Sequence, residues 1–381
     1  MTIATNTYDL EKVFGLDGIA IKSMTLPKAV DENNIPEMIK DYSFNLEKLN
    51  ETLNFLAFPN NDCLYISGNA GCGKTSLILQ IASRLGWGVE SVTLSNKCES
   101  LDLVGHSTLK NGELVFEYGA LAKAMLYGEI LLLNEIDMMS ASDLSLLNDV
   151  AERKPLTIIQ NNGEVIMPHP NFRIVCTANS QGNGDETGFY TGARILNQAF
   201  LDRFRYMTMD YPTADEEKAL VCKLYPAIDT EFVDHLVNFA KNVRDVMKSS
   251  LESGVRQLSA PLSTRTILKI AGIYSATPCY TPQKLIDMCY SLRLPSEERE
   301  YIQRTVNDVF GHETDEQKQD LGSFTIAKVD LAVGIKVQPK KLNVVENTKQ
   351  KVSAPSVKKV QEDLDLEIEK DMEFLNNFNV A

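Results

Sequence analysis

A chain of 381 residues, 44% hydrophobic and 24% charged, can bury a sizeable core and has room for two ordinary domains plus extensions. A formal net charge of −14 argues against a non-specific nucleic-acid or anionic-membrane binder, which needs a basic surface to exchange with counterions. The 7 cysteines include no Cys-x-x-Cys pair and the 4 histidines are scattered, so free thiols in a reducing cytoplasm are expected, with no disulfide framework or zinc site.

In chain order, residues 1–43 carry Pro27 and Pro36 and read as an extended arm. The start, "MTIATNTYDLEKVF", lacks the basic-then-apolar layout of a signal peptide, and no apolar run approaches membrane-spanning length. "NLEKLNETLNFLAF" (45–58) has helical spacing, "CLYIS" (63–67) reads as a buried strand, and "TSLILQIASRLG" (75–86) as a helix stopped by Gly86. "VESVTLS" (89–95) alternates like a strand, and "ILLL" (130–133) is the continuous apolar run of a strand covered on both faces. "DLSLLNDVAE" (143–152) predicts a helix with Ser142 as its cap. "LTIIQNNGEVIM" (156–167) predicts two short strands around Asn162-Gly163, and "FRIVCTAN" (172–179) another buried strand. Strands alternating with helices over 44–211 predict an α/β domain with a parallel sheet.

After Pro212 the pattern changes. "TADEEKALVCKLY" (213–225), "EFVDHLVNFAKNVRDVMKSS" (231–250), "STRTILKIAGIYS" (263–275) and "SEEREYIQRTVNDVF" (296–310) are amphipathic helices, so 212–311 reads as a second, all-helical domain. Residues 312–381 read as a linker and acidic tail, in which "QEDLDLEIEKDMEFLNNF" (361–378) is a solvated tail or a helical peptide for a partner.

The sharpest motif is "GNAGCGKT", which fits G-x-x-x-x-G-K-[ST] at every fixed position and lies between a predicted strand and helix. Its glycines let successive N–H groups face phosphates. Gly68, Asn69, Ala70, Gly71, Cys72, Gly73, Lys74, Thr75 and Ser76 are therefore the candidate nucleotide-binding residues, with Lys74 for the β- and γ-phosphates and the Thr75 hydroxyl for Mg²⁺. The loop alone does not separate kinases, GTPases and motor ATPases. "ILLLNEIDMM" (130–139) ends a second strand at Asn134-Glu135, where Glu135 can position and deprotonate water. Asn134 stands where an Asp would serve as metal ligand. Its amide oxygen can still accept from a Mg²⁺-bound water, but it brings no charge. Asp137 shares a side with Glu135 if the strand continues. Asn179, at the tip of a third strand, can orient the attacking water, Arg203 lies on a segment closing the α/β domain, and Arg265 begins a helix of the second domain. Taken singly, each is equally well a turn residue or a surface charge.

Together, that order resembles the AAA+ ATPases, within them the MoxR group, and within that the CobS-type ATPase subunit of aerobic cobaltochelatase. The likeness is carried by "FGLDG" (14–18), "LDLVG" (101–105), residues 156–179, "GDETGFYTGARILNQAFLDRF" (184–204) and "LSTRTI" (262–267), and spans roughly 12–310. The resemblance implies a P-loop AAA+ domain followed by a helical lid, with ATP and Mg²⁺ as ligands. It implies that Arg203 is a finger for the neighbouring subunit's nucleotide, with Arg205 as second candidate, and that Arg265 is the lid's sensor. It implies that 102–121 is a hairpin inserted into a core helix and aimed at a ring's pore. It also implies homo-oligomeric rings, commonly hexamers, paired with a von Willebrand-type metal-adhesion partner. The departure is Asn134, where the family has Asp. The expected function is a ring-forming ATPase that remodels a partner complex. The alternative is an ATP-dependent assembly switch with little hydrolysis. A nucleic-acid motor is disfavoured by the acid balance.

Overall fold

The computed structural model describes residues 5–110, 112–140, 142–185, 188–190, 192–253 and 258–311. The expected linker and acidic tail, 312–381, lie outside the described residues.

The N-terminal residues depart from the expected extended arm. β1 (Thr5–Asp9) and β2 (Ser23–Pro27) pair antiparallel around α1 (Leu10–Phe14). Leu10, Phe14, Ile19, Met24 and Leu26 are buried in one apolar cluster with Leu53, Ile66 and Ile78, so the α/β core begins ahead of residue 44. The prolines do not prevent this, because Pro27 closes its strand and Pro36 lies beyond it, where no interior ladder N–H is lost.

α2 (Leu46–Ala57) is capped by Asn45, whose side chain accepts the Lys48 N–H. Then come β3 (Cys63–Gly68), α3 (Lys74–Arg84), β4 (Val89–Thr93) and α4 (Ser100–Val104). β5 (Gly105–Lys110) and β6 (Glu113–Tyr118) form an antiparallel hairpin between α4 and α5 (Ala120–Tyr127), the insertion expected at 102–121. β7 (Ile130–Asn134) and α6 (Ser145–Ala151) follow. α6 starts two residues later than the sequence suggests and Ser142 is not its cap: Leu144 takes that position with no side-chain bond, while the Ser142 hydroxyl pairs with Ser140 at 2.7 Å. β8 (Leu156–Ile158) and β9 (Glu164–Ile166) make the Asn162-Gly163 hairpin, with a 3₁₀ turn over Ile159–Asn161 inside it. β10 (Arg173–Ala178), α7 (Gln198–Leu201) and β11 (Phe204–Met209) complete the α/β part.

β3, β4, β7, β10 and β11 form one parallel sheet in the order β11-β3-β10-β7-β4. Every residue of β7 and β10 is buried, as a sheet with both faces covered requires. Each fully buried leucine of β7 contributes about 2 kcal/mol of transfer free energy. β11 is not evident in the sequence. In "FRYMTM" only Phe204 and Met207, three residues apart, are buried, and an edge strand carrying Arg205 lacks the apolar run of its neighbours. Between strands, Arg173 is buried with carbonyl partners only. It donates to Leu56 O from Nε and Nη2 at 3.1 and 3.0 Å, fastening the last turn of α2 to β10.

The helical part holds α8 (Ala214–Leu224), α9 (Thr230–Ser253), α10 (Thr264–Ala276), α11 (Pro282–Cys289) and α12 (Ser296–Phe310) around its own apolar cluster. α11 goes beyond the sequence reading. It is short, but Thr281 caps it and Pro282 opens it. Among the described residues no helix is long and apolar enough to cross a membrane.

Glu129, just before β7, is buried and bonded to the Asn34 amide at 3.3 and 3.2 Å, an amide shared with Glu90 at 3.0 Å. Burial pushes its carboxyl up to about 7; Glu90 and Asp31 add to the rise, and Asn34 and Lys123 oppose it. The folded value exceeds the unfolded one, so the fold favours the protonated form. That contribution is present at low pH and is lost as pH climbs from the ordinary carboxylate range through about 7. Glu129→Gln is therefore expected to stabilise the protein at pH ~8, by on the order of 1–3 kcal/mol, and to change little at pH ~5. Thermal melts at the two pH values check this; equal shifts would contradict it.

Candidate nucleotide site

The loop between β3 and α3 curls because Gly73 takes φ 102°, a left-handed conformation at the residue before the helix. No side chain caps α3, so its first N–H groups and the positive end of its dipole remain for a ligand. Lys74 folds back across the loop. Its Nζ donates to Gly68 O at 2.6 Å, Asn69 O at 3.1 Å and Asn179 Oδ1 at 3.0 Å. All three acceptors are neutral. Burial holds its pKa below the ordinary lysine value, while Glu135 and Asp137 pull the other way. A buried cation satisfied only by neutral oxygens is a natural anion site.

Asn134 stands at the end of β7 beside that cation. Its Oδ1 accepts from the Thr75 hydroxyl at 2.6 Å and the Thr177 hydroxyl at 3.1 Å, and its Nδ2 donates to Ser91 Oγ at 3.2 Å. The Thr75 proton is thus directed at Asn134, which leaves the hydroxyl's lone pairs for a hard cation. Among the described residues no group of three or more His, Cys, Asp or Glu can hold a metal alone. This donor set fits Mg²⁺ carried mainly by phosphates and supported by Thr75 and Asn134.

The chain leaves β7 abruptly. Glu135 has φ 58°, and Ile136–Met138 form a 3₁₀ turn. A glutamate in the left-handed region costs on the order of 1 kcal/mol, which points to a positional requirement. Its carboxylate accepts from Asn179 Nδ2 at 2.8 Å. Burial and then the Asp137 charge raise its pKa, against Lys74, Arg265 and the Asn179 bond. The Asn179 side chain therefore bridges the lysine and the glutamate. Asp137 does not continue a strand alongside Glu135. It turns inward, where its Oδ2 accepts from Asn179 N–H at 3.3 Å, Ser180 N–H at 3.1 Å and the Ser180 hydroxyl at 2.8 Å, fixing the tip of β10.

Arg265 lies exposed in the first turn of α10, close enough for its charge to act on both Lys74 and Glu135. The approach is tight at Gly71, where a Cβ would lie 2.9 Å from Ser263 Cβ. Cys72 is buried and Ser76 exposed. Arg203 is elsewhere: it pairs with Glu152 and with Ala199 O. Arg205 is committed to its own chain, through Asp62 at 2.8 Å, Phe58 O at 2.7 Å and Pro59 O at 3.0 Å. Sequence reasoning missed Ser91, Thr177, Ser180, Tyr190 and Tyr211, all of which touch the site. The signals were weak: small hydroxyl residues at strand ends, and an aromatic standing in the glycine-rich stretch 182–192.

A family model, the AAA domain of the dynein-related subfamily, matches residues 64–204. The aerobic cobaltochelatase subunit CobS of Sinorhizobium sp is 30% identical over 269 residues, covering 69% of this chain and 78% of that protein. Protein NorQ of Paracoccus denitrificans is 28% identical over 234 residues, covering 61% of this chain and 81% of its own length. Among solved structures, RuvB of Thermotoga maritima matches with a TM-score of 0.44 at 14% identity, over 72% of this chain and 80% of that one.

One property of the loop is testable directly. Burial raises the Cys72 thiol above its ordinary pKa, ahead of the lowering effect of Lys74, so little thiolate forms at neutral pH. Native protein treated with iodoacetamide near pH ~7.5 is expected to label at Cys72 far more slowly than unfolded protein. Mass spectrometry of the tryptic peptide reads the outcome, and equal labelling rates would contradict it.

Proposed function

Because the chain belongs to the CobS-like branch of the MoxR AAA+ ATPases, we propose that it is a ring-forming ATPase that hydrolyses ATP-Mg to remodel or activate a partner protein complex. The observation that carries the reading is the Asn179 side chain, which joins Lys74 at 3.0 Å to Glu135 at 2.8 Å. Phosphate cation, water-orienting amide and base thus meet at one point.

In this reading the backbone of 71–75 and Lys74 hold the phosphates, exchanging Lys74's neutral acceptors for anionic ones. Thr75 and Asn134 hold Mg²⁺. When bound, the metal neutralises charge developing on the transferred phosphoryl group. Glu135 takes a proton from the water that Asn179 orients, and its raised pKa brings it nearer to a base matched to neutral pH. Arg265 brings a second cation from the helical part, which acts as the lid. Arg203 serves the neighbour's nucleotide in a ring, commonly a hexamer. Its support is negative geometry: within its own chain it pairs with Glu152, away from the Lys74–Asn179–Glu135 line. The β5–β6 hairpin, with Leu109 and Leu114 paired and each 75% exposed, is the element that would face the ring's pore. A von Willebrand-type metal-adhesion protein is the partner that the family suggests, and the cytoplasm is the expected compartment.

Asn134 favours a second reading, a switch that assembles on ATP and hydrolyses little. The neutral acceptor keeps the Thr75 hydrogen bond but not the charge, a loss of about 1–2 kcal/mol, or roughly tenfold in metal affinity. A Mg²⁺ titration of phosphate release decides between them. Asn134→Asp is expected to lower the Mg²⁺ requirement about tenfold with turnover equal or faster, and Glu135→Gln to retain ATP without hydrolysis. If the parent is inactive at saturating Mg²⁺ in assembled rings with partner present, the switch reading stands instead.

The shared site is tested by mixing. Lys74→Ala and Arg203→Ala subunits are each expected to be inactive, and mixed rings to recover part of the parental activity. Mixed rings that are shown to form yet stay inactive at every ratio would remove Arg203 from the neighbour's site.

A further inference from the structure

The outer limb of the phosphate loop is held by two phenols. The Tyr190 hydroxyl accepts from the Ala70 N–H at 3.0 Å and donates to Asn69 Oδ1 at 3.1 Å. The Tyr211 hydroxyl donates to the Ala70 carbonyl at 3.0 Å. Both backbone polar groups of Ala70 are thereby occupied by side chains that arrive from separate parts of the chain. Each phenol is itself anchored. Tyr190 N–H donates to Asp185 Oδ2 at 2.6 Å, Tyr190 O accepts from Ala193 N–H at 3.1 Å, and Arg194 N–H donates to Asp137 O at 2.8 Å. The Tyr211 ring lies under the Arg244 guanidinium at 4.1 Å.

A glycine-rich loop loses conformational freedom when it closes around phosphate. A loop already held in that curl loses less, and binding is tighter by the difference. We propose that Tyr190 is a positioning residue for the nucleotide: its hydroxyl, opposed by Tyr211 across Ala70, holds residues 69–70 in the phosphate-binding curl before ATP arrives. Tyr190 acts through the loop and not on the reacting atoms. The proposal rests on the nucleotide reading of the site and deepens it.

The experiment uses the full chain and a non-hydrolysable ATP analogue with Mg²⁺, followed by steady-state turnover of ATP. The parent is compared with Tyr190→Phe, Lys74→Ala and Tyr225→Phe. The Tyr225 hydroxyl donates to Leu268 O at 3.4 Å in the helical part, so that variant controls for loss of a phenol hydroxyl. Tyr190→Phe keeps the ring and is expected to weaken analogue binding about five- to tenfold, the effect of one or two neutral hydrogen bonds. KM for ATP should rise by more than kcat falls, and the nucleotide-free melting temperature should match that of Tyr225→Phe. Parental affinity in Tyr190→Phe overturns the proposal. So does a drop in nucleotide-free melting temperature large enough to account for the weaker binding, because the hydroxyl would then be a general stability element. A parent that binds no better than Lys74→Ala overturns the nucleotide reading itself, and this proposal with it.

Discussion

One amide holds the centre of this molecule. Asn134 joins α3 through Thr75, β10 through Thr177 and β4 through Ser91, with its own strand β7 between. The register makes this possible: Thr177 and Thr93 lie opposite Asn134 on either side, so the strand ends come level at one edge of the sheet. Amide and carboxylate differ here in more than charge. The Asn134 Nδ2 faces the Val92 carbonyl at 3.5 Å, a group that can only accept. A carboxylate oxygen in that place would oppose it. The neutral residue is therefore matched to its hydrogen-bonding surroundings.

How much of this was legible depends on whether the information was local. The phosphate loop was, since its function follows from eight consecutive residues between a strand and a helix. β7 and β10 were, because burial on both faces writes itself as an apolar run. β11 was not, since its buried residues Phe204 and Met207 stand three apart and give neither an apolar run nor a two-residue alternation. The packing of 5–27 onto the core was hidden for another reason. Short elements have weak periodicity, and Leu10 and Ile19 are buried in a cluster most of whose members, such as Leu53, Ile66 and Ile78, lie far along the chain. Within the site, Lys74, Glu135 and Asn179 were nameable from motif order, but the bond that joins them crosses 105 residues of chain at one end and 44 at the other. Asp137 shows the limit of extrapolating a strand. The left-handed Glu135 ends the alternation, and its neighbour's carboxylate goes to the β10 tip.

Charge needs the same distinction between global and local. A net charge of −14 describes the far field of the chain and bears on non-specific partners. At the site, Lys74 is buried among neutral acceptors, Arg265 adds a second positive charge from the helical part, and Glu135 and Asp137 lie within reach of Lys74. At Glu135 those two cations oppose burial and the like charge of Asp137, which raise its pKa. Its raised pKa is the residue of that competition, with burial the largest contribution.

The helical part is tied to the loop by a buried ion pair. Glu217 on α8 is 1% exposed and receives both Arg244 nitrogens of α9 at 2.9 Å, together with the Thr264 hydroxyl of α10 at 2.6 Å. Removing one partner of such a pair strands a buried charge, at a cost of about 3–5 kcal/mol, so the first turns of α8 and α10 are held to the middle of α9. The other face of Arg244 covers the Tyr211 ring, and Tyr211 holds Ala70 O. The same α10 that receives Glu217 through Thr264 carries Arg265 to the nucleotide side and presses Ser263 against Gly71. Arg265, Ser263 and the Glu217–Arg244 pair therefore belong to one continuous set of contacts that runs through Tyr211 to the outer limb of the loop at Ala70.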